Sequence, residues 1–148
     1  MNRCNFGCRT PGIQDRGSEP LIVNIDCIAK QNSNYRTALW TGKHLQVTLM
    51  SIPVRGDIGL EIHSDVDQFI CIEEGCALVM MGKSKTHLNY QQRADSHCAV
   101  IIPAGTWHNI INMGKIPLKL FSVYAPPQHP FGTVHITKEA AESAEKYE

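Results

Sequence analysis

The segment that decides the fold is Gly56–Gly82, which reads GDIGLEIHSDVDQFICIEEGCALVMMG. It contains Glu61 and His63, two potential metal ligands separated by one residue. Because side chains alternate between the two faces of a β-strand, we expect a strand over Gly59–His63 that points both side chains the same way. The short polar stretch that follows favours a turn. A strand returning from that turn would bring Gln68 opposite the pair, so the segment predicts a metal site.

Further short β-strand candidates flank this segment at intervals of roughly 8–12 residues, separated by Gly and Pro turns. The predicted strands are Leu21–Ile28, His44–Pro53, Gln68–Glu73, Cys76–Met81, Cys98–Ile102, His108–Asn112 and Pro117–Ala125. We expect His87–Arg93 to be a loop or an edge strand. Many short strands with such turns are typical of an all-β barrel or sandwich. The chain shows neither a βαβ alternation nor a glycine-rich phosphate loop, which argues against a nucleotide-binding α/β fold.

The two ends of the chain differ from its middle. Residues 1–20 are rich in Gly, Arg, Asn and Pro and predict an irregular N-terminal arm. The β domain is predicted over residues 21–136. A C-terminal helix is predicted over residues 137–148, because Thr137 can cap it, Glu139 favours its positive end and alanines occupy its interior.

Composition excludes several classes of partner. The 148 residues suffice for one domain with a real core. Fourteen basic residues balance fourteen acidic ones, so we expect no nucleic-acid partner and no attraction to an anionic membrane. No apolar run approaches the roughly 18 residues of a membrane span, and the N-terminal residues lack the apolar stretch of a secretory signal. We therefore expect a cytoplasmic protein, whose six cysteines would be reduced thiols.

A second motif lies about 40 residues beyond the first. It has the form Pro-x-Gly-x-x-His-x-x-x-Asn and consists of Pro103, Gly105, His108 and Asn112. With this motif the chain resembles the cupin superfamily. The family's second motif opens with a Gly, and that position falls on His97 in this sequence.

The first cupin motif is matched by spacing and altered in composition. The family has two His residues two positions apart, a Glu five positions after the second His, and a Gly seven positions beyond that Glu. Glu61, His63, Gln68 and Gly75 stand at these positions here. The Gly that opens the family's motif corresponds to Gly56, one residue too close. Glu61 thus replaces the usual first His, and Gln68 replaces the usual Glu.

The resemblance implies a cupin double-stranded β-helix, a jelly-roll barrel, and a metal site formed by Glu61, His63, Gln68 and His108. Imidazole nitrogen and hard oxygen ligands suit one divalent ion, which could be Zn, Mn, Fe, Ni or Co. Asp67 is an alternative to Gln68, although the spacing within the motif favours Gln68. The alternative reading treats the His residues as ordinary polar residues lining a metal-free barrel. Four coordinating side chains are costly to bury without a partner, which favours a metal.

The remaining cationic residues receive simpler interpretations. Four of them could bind an anionic substrate, but we expect each to be a solvated cation: Lys43, Arg36, Arg55 and Lys119. Five His residues lie outside the motifs, and we expect each to be at the surface or hydrogen bonded: His44, His87, His97, His129 and His135. The last two follow the final strand and could overhang the mouth of the barrel.

Three functions are compatible with this ligand set, and the sequence identifies no catalytic residue. Cupin phosphomannose isomerases have a Gln-x-His pair, a Glu and a later His, so the chain resembles them with Gln and Glu exchanged. This implies a metal-dependent isomerase of a sugar or sugar phosphate. Two His residues and one carboxylate would also suit an Fe(II)-dependent dioxygenase of small molecules. The third possibility is a non-catalytic cupin that binds or senses a small molecule.

We also expect a homodimer. The open edges of such a barrel are commonly covered, and an arm of about 20 residues could cover the edge of a partner. A monomeric mass in light scattering at micromolar concentration would contradict this expectation.

Overall fold

The computed structural model describes residues 12–146, which form nine strands and two helices. The helices are α1 (Ile25–Gln31) and α2 (Lys138–Glu145). The strands are β1 (Arg36–Thr41), β2 (Gln46–Ile52), β3 (Asp67–Glu74), β4 (Ala77–Gly82), β5 (Tyr90–Ala94), β6 (Ala99–Ile102), β7 (Trp107–Asn112), β8 (Leu118–Ala125) and β9 (Val134–His135). Residues 1–11 of the predicted arm and the last two residues of the predicted helix lie outside the described residues.

The strands form two antiparallel sheets. The larger has the order β6-β3-β8-β2-β1-β9, and the smaller has the order β5-β4-β7. Inward-facing residues alternate with outward-facing ones, as in β8, where buried and half-buried side chains follow each other from residue to residue. The inward residues form an aliphatic core that includes Ile70, Ile72, Val79, Ile110 and Leu120. The predicted all-β jelly roll is therefore confirmed.

Strand register divides this interior into a polar end and an apolar end. Side chains directly opposite each other on neighbouring strands form rows across the larger sheet. The row at the polar end is Gln46, Tyr124, Gln68 and Ile102, the next is Thr48, Ser122 and Ile70, and the third is Met50, Leu120 and Ile72. The polar rows determine where a functional site can lie within the barrel.

The predicted strand Leu21–Ile28 is wrong, because its second half belongs to helix α1. The side chain of Asn24 accepts a hydrogen bond from the backbone N–H of Cys27 and caps this helix. Ile28 and Ala29 are buried against the outer face of the larger sheet. The apolar residues thus recur with the period of a helix, and this signal outweighs their preference for strands.

The predicted strand Gly59–His63 is also wrong. Gly59 has a positive φ of 98°, which interrupts extended pairing. Glu61 forms an isolated bridge with His108, in which each backbone N–H donates to the other residue's carbonyl at 3.0 Å. The segment is therefore held at single points along β7 instead of in a continuous ladder.

The ends of the described chain are attached to the barrel. Helix α2 is confirmed, with the side chain of Thr137 accepting from the N–H of Ala140 and with Ala141 buried in the core. Residues 12–20 have no helix or strand and lie along β1. There the N–H of Arg16 donates to the carbonyl of Leu39 at 2.9 Å. Neither described helix is long and apolar enough to cross a bilayer.

Two minor expectations have different outcomes. Residues 87–93 contain the start of β5, which is an edge strand of the smaller sheet as predicted. Cys71, Cys76 and Cys98 are free thiols. Cys27, near the start of α1, is disulfide-bonded, so the prediction of reduced thiols is wrong at this position.

His129 is buried beside the polar end of the core. Its ring makes an edge-to-face contact with Tyr124, with ring centroids 5.1 Å apart. Its backbone N–H and carbonyl are both hydrogen bonded at 2.9 Å to the side-chain amide of Gln46. Burial and the nearby positive charge of Arg36 lower the pKa of His129 to about 3. The native protein therefore holds this imidazole neutral throughout the neutral and mildly acidic range.

This depressed pKa makes stability pH-dependent. An unfolded His has a pKa of about 6.5, so between about pH 6.5 and pH 3 the unfolded chain binds a proton at His129 that the native chain does not. The free energy of unfolding should fall as the pH falls through this window. Between pH 7 and pH 5, we predict that the free energy of unfolding of His129→Phe falls by about 2 kcal/mol less than that of the wild type.

Urea denaturation at the two pH values measures this difference. His44→Phe is the matched control, since His44 is exposed in a loop, and it should lose stability as the wild type does. An unchanged pH dependence in His129→Phe would contradict the prediction.

Candidate metal centre

Three potential ligands converge at the polar end of the barrel. One ligand atom from each of Glu61, His63 and His108 lies within 4.8 Å of the others. The backbone bridge explains two of them, because bridged residues place their side chains on the same side of the sheet. His63 follows two residues later, and its Nε2 atom lies 3.3 Å from Oε1 of Glu61, so its side chain points the same way.

The carboxylate lies between the two imidazoles. Oε1 of Glu61 is 3.3 Å from Nε2 of His63 and 3.3 Å from Nε2 of His108. The side chain of His108 is 1% exposed, whereas that of Glu61 is 25% exposed. The cluster is therefore buried on the imidazole side and reaches solvent through its carboxylate.

Hydrogen bonding leaves the two inner nitrogens available to a metal ion. Nδ1 of His108 is 2.9 Å from the carbonyl oxygen of Thr106, which can only accept, so the Nδ1 atom carries the proton. In the neutral ring, Nε2 then presents a lone pair to the Glu61 carboxylate. Nε2 of His63 is buried and has no hydrogen-bond partner among the described residues, despite its short distance to Glu61. Lone pairs facing a carboxylate require a cation or additional protons between them, and a divalent ion fits this donor set.

Glu61 is ionised at neutral pH. Burial raises the pKa of this carboxyl group, but the N–H donors and positive charge that His108 and His63 supply when protonated outweigh burial and bring the pKa to about 2. A carboxylate that stays negative is suited to metal binding. It is poorly suited to act as a general base near neutral pH.

Gln68 occupies the polar row of β3, directly opposite Tyr124. The ring of Tyr124 contacts the ring of His63 edge-to-face at 5.8 Å, so Gln68 and His63 share a neighbour. Nε2 of Gln68 donates to Oγ of Ser122 at 2.9 Å, while Oε1 is buried without a partner. The free atom is thus the oxygen that a metal would use, and a fourth ligand at Gln68 stays a prediction.

Asp67, the alternative to Gln68, faces the opposite side of β3. Its side chain is exposed, and its Oδ1 accepts from the N–H of Ala104 at 2.9 Å. Since successive side chains on a strand point to opposite faces, Asp67 cannot share the interior with Gln68. Within the described chain, Asp67 therefore has a role at the surface turn.

Other residues of the second motif support the site without facing it. The N–H of Gly105, at a positive φ of 78°, donates to the carbonyl of His63 at 2.8 Å and fixes the backbone of that ligand. Nδ2 of Asn112 donates to the carbonyls of Ile52 and Ile116, both at 3.0 Å. The motif therefore joins the ligand-bearing segment to the barrel.

A cleft of about 680 Å³ opens beside β7 and is within the usual size range of ligand pockets. It is lined in part by Met81 and Thr106. Met81 pairs with His108 across β4 and β7, and the Thr106 carbonyl accepts from His108. The cleft thus borders two residues that contact or pair with His108, while none of the candidate ligands lines it.

Several buried polar residues of the interior were not found by sequence reasoning. Arg36, expected to be solvated, is 2% exposed and faces inward from β1. His135 is 7% exposed, and its Nδ1 lies 3.2 Å from Nη1 of Arg36. Their strand pairing, Arg36 opposite His135, brings them together over almost one hundred residues of chain. No local pattern signals this pairing.

Comparisons with known proteins agree with this architecture. The sequence profile of the cupin domain family matches residues 48–124. The chain is 57% identical over 143 residues to the uncharacterized protein YrkC of Bacillus subtilis, covering 97% of this chain and 77% of that protein. It is 38% identical over 118 residues to the uncharacterized protein L612 of Acanthamoeba polyphaga mimivirus, covering 79% of this chain and 72% of that protein.

A solved structure gives the same result in three dimensions. The crystal structure of BH2720 from Bacillus halodurans superimposes with a TM-score of 0.88 at 56% sequence identity. The match covers 88% of this chain and 99% of that one. The profile, the relatives and the solved structure all show that the chain belongs to the cupin domain family.

Proposed function

We propose that the protein is a divalent-metal-dependent cupin enzyme that isomerises a sugar or sugar phosphate. Glu61, His63 and His108 hold the ion, and Gln68 is the fourth ligand. The observation that carries this proposal is the equal 3.3 Å approach of two imidazole nitrogens to one carboxylate oxygen. A divalent ion held by all three side chains accounts for this arrangement, because imidazole nitrogen and carboxylate oxygen are both ligands of such ions.

Each residue has a distinct part in this proposal. When bound, the ion supplies Lewis-acid polarisation of a carbonyl and hydroxyl group. Thr106 orients the ring of His108 through its carbonyl, and Gly105 holds the backbone of His63. Glu61 contributes the negative charge and lies on the solvent side of the cluster, so the substrate approaches past it. The apolar rows behind the site keep water out of the rest of the barrel.

The four-residue composition favours an isomerase over other activities. The chain has the ligand types of cupin phosphomannose isomerases with Gln and Glu exchanged, so the site's net protein charge is unchanged. The triad of two His residues and one carboxylate supports an Fe(II)-dependent dioxygenase as the second candidate, because this is the ligand set of many non-haem iron oxygenases. A fourth ligand at Gln68 would leave fewer open positions for oxygen.

Metal binding is testable without knowing the substrate. We expect one equivalent of a divalent transition metal in protein purified without chelator. His63→Ala and His108→Ala should each lose most of it, because each removes a donor from a small set. Elemental analysis measures the metal, and re-addition of metal should raise the melting temperature of the wild type but not of His63→Ala or His108→Ala.

His44→Ala is the matched control for these variants, since the same residue type is removed from an exposed loop. It should retain full metal content. Unchanged metal content in both motif variants would show that these histidines are not ligands.

The reaction is tested with metal-loaded protein in two parallel assays. We expect ketose product from mannose 6-phosphate or a related aldose phosphate, and loss of that product in His108→Ala. Oxygen consumption with Fe(II) and small phenols or thiols, without ketose formation, would instead support the dioxygenase. Metal retention with neither activity on a broad substrate panel would favour a non-catalytic ligand-binding cupin.

A further inference from the structure

A continuous file of side chains leads from the candidate metal centre to a buried arginine. The ring of His63 contacts Tyr124 at 5.8 Å, Tyr124 contacts His129 at 5.1 Å, and His129 contacts His135 at 6.4 Å between ring centroids. Nδ1 of His135 is 3.2 Å from Nη1 of Arg36. The file therefore connects a metal-binding cluster at one end with a permanent positive charge at the other.

Among the described residues, the ion pair that Arg36 forms is long and partly exposed. Its side chain is 2% exposed, and the carboxylate that pairs with it, Glu145 on α2, is 3.7 Å away and 47% exposed. A guanidinium has five N–H donors and cannot lose its proton in a protein. Burying such a group is costly unless an anion lies close to it. Glu145 is a distant and partly solvated partner for this charge.

Within residues 12–146, two buried nitrogens beside this charge lack hydrogen-bond partners. They are Nε of Arg36 and Nε2 of His129, and both belong to residues that are more than nine-tenths buried. Buried polar groups are normally satisfied, so unpartnered nitrogens in one region indicate a place for a further acceptor. The ring of His129 is neutral, and it can donate one hydrogen bond without adding charge.

We propose that Arg36 and His129 form an oxyanion subsite for the molecule on which the metal centre acts. The planar guanidinium of Arg36 matches two oxygens of a phosphate or carboxylate. His129 would donate a hydrogen bond to one of these oxygens or to another oxygen of the same ligand. The link to catalysis rests on the proposed function, whereas anion binding itself does not. The substrate class is thus an acid or phosphate ester with metal-binding oxygens at its other end.

Titration calorimetry with inorganic phosphate and, separately, acetate tests the subsite at constant ionic strength. We expect one of the two anions to bind the wild type and to bind Arg36→Gln at least about tenfold more weakly, as the loss of charged hydrogen bonds predicts. Binding of phosphate alone indicates a phosphate ester, and binding of acetate alone indicates a carboxylate. Arg93→Gln, the same change on the exposed face of β5, should bind like the wild type.

Glu145→Gln provides a test that does not require removing a buried residue. It removes the carboxylate that competes for Arg36, so anion affinity should rise by about threefold, the effect of a weak ion pair. An unchanged or lower affinity in this variant would overturn the proposal. Absence of binding for both anions, in the wild type and in Glu145→Gln, would overturn it as well.

His63→Ala separates this inference from the proposed function. This variant should lose metal and keep its affinity for the anion, since Arg36 and His129 are unchanged. If the wild type holds no metal but binds the anion through Arg36, the metal proposal fails and the subsite stands. If Arg36→Gln retains metal and binds the anion as tightly as the wild type does, the subsite proposal fails and the metal proposal stands.

Discussion

The backbone bridge between Glu61 and His108 is the constraint on which the site depends. Its two hydrogen bonds, each 3.0 Å long, fix a segment without regular strand structure against β7. The bridge places a carboxylate beside an imidazole whose outer nitrogen is already bound to the Thr106 carbonyl. Gly105 then fixes His63 from the other side of the segment. The ligands are thus held by backbone contacts of the barrel, which keeps their positions independent of solvent-exposed side chains.

The barrel can hold charged groups because its interior is apolar at one end of the strands and polar at the other. At one end, Ile72 and Leu120 face each other across β3 and β8, and these rows exclude water. At the other end, the same two strands present Gln68 and Tyr124. The aliphatic rows supply the stability that comes from burying apolar surface. The polar rows bury less apolar surface and contribute less of this stability, as expected for residues that serve binding.

Much of the fold and part of the site could be predicted from local sequence. The spacing within Pro103–Asn112 predicts β7 and the histidine it carries. The residues of this motif are close in sequence, so they determine the local backbone conformation themselves. The strand predicted over Gly59–His63 failed, since the positive φ of Gly59 is a backbone property that spacing does not reveal. Its two ligands still point the same way, because an extended backbone alternates side chains whether or not it is paired.

Longer-range features could not be predicted, for a physical reason. Arg36 and His135 are buried only because β9 returns to pair with β1, and this pairing depends on the whole course of the chain. A cation in an isolated strand is expected to be solvated, and the cost of burying it is compensated by groups distant in sequence. Helix α1 shows the converse case. There, the apolar run predicts a strand, but a local cap at Asn24 begins a helix.

The exchange of Glu and Gln within the first motif also has a physical explanation. Position 68 is 2% exposed and its side chain donates to Ser122, which an ionised carboxylate could not do. A charge there would be fully desolvated, whereas at position 61 it keeps contact with solvent. The two substitutions therefore compensate each other: the amide occupies the buried row, and the carboxylate occupies the mouth between two imidazoles.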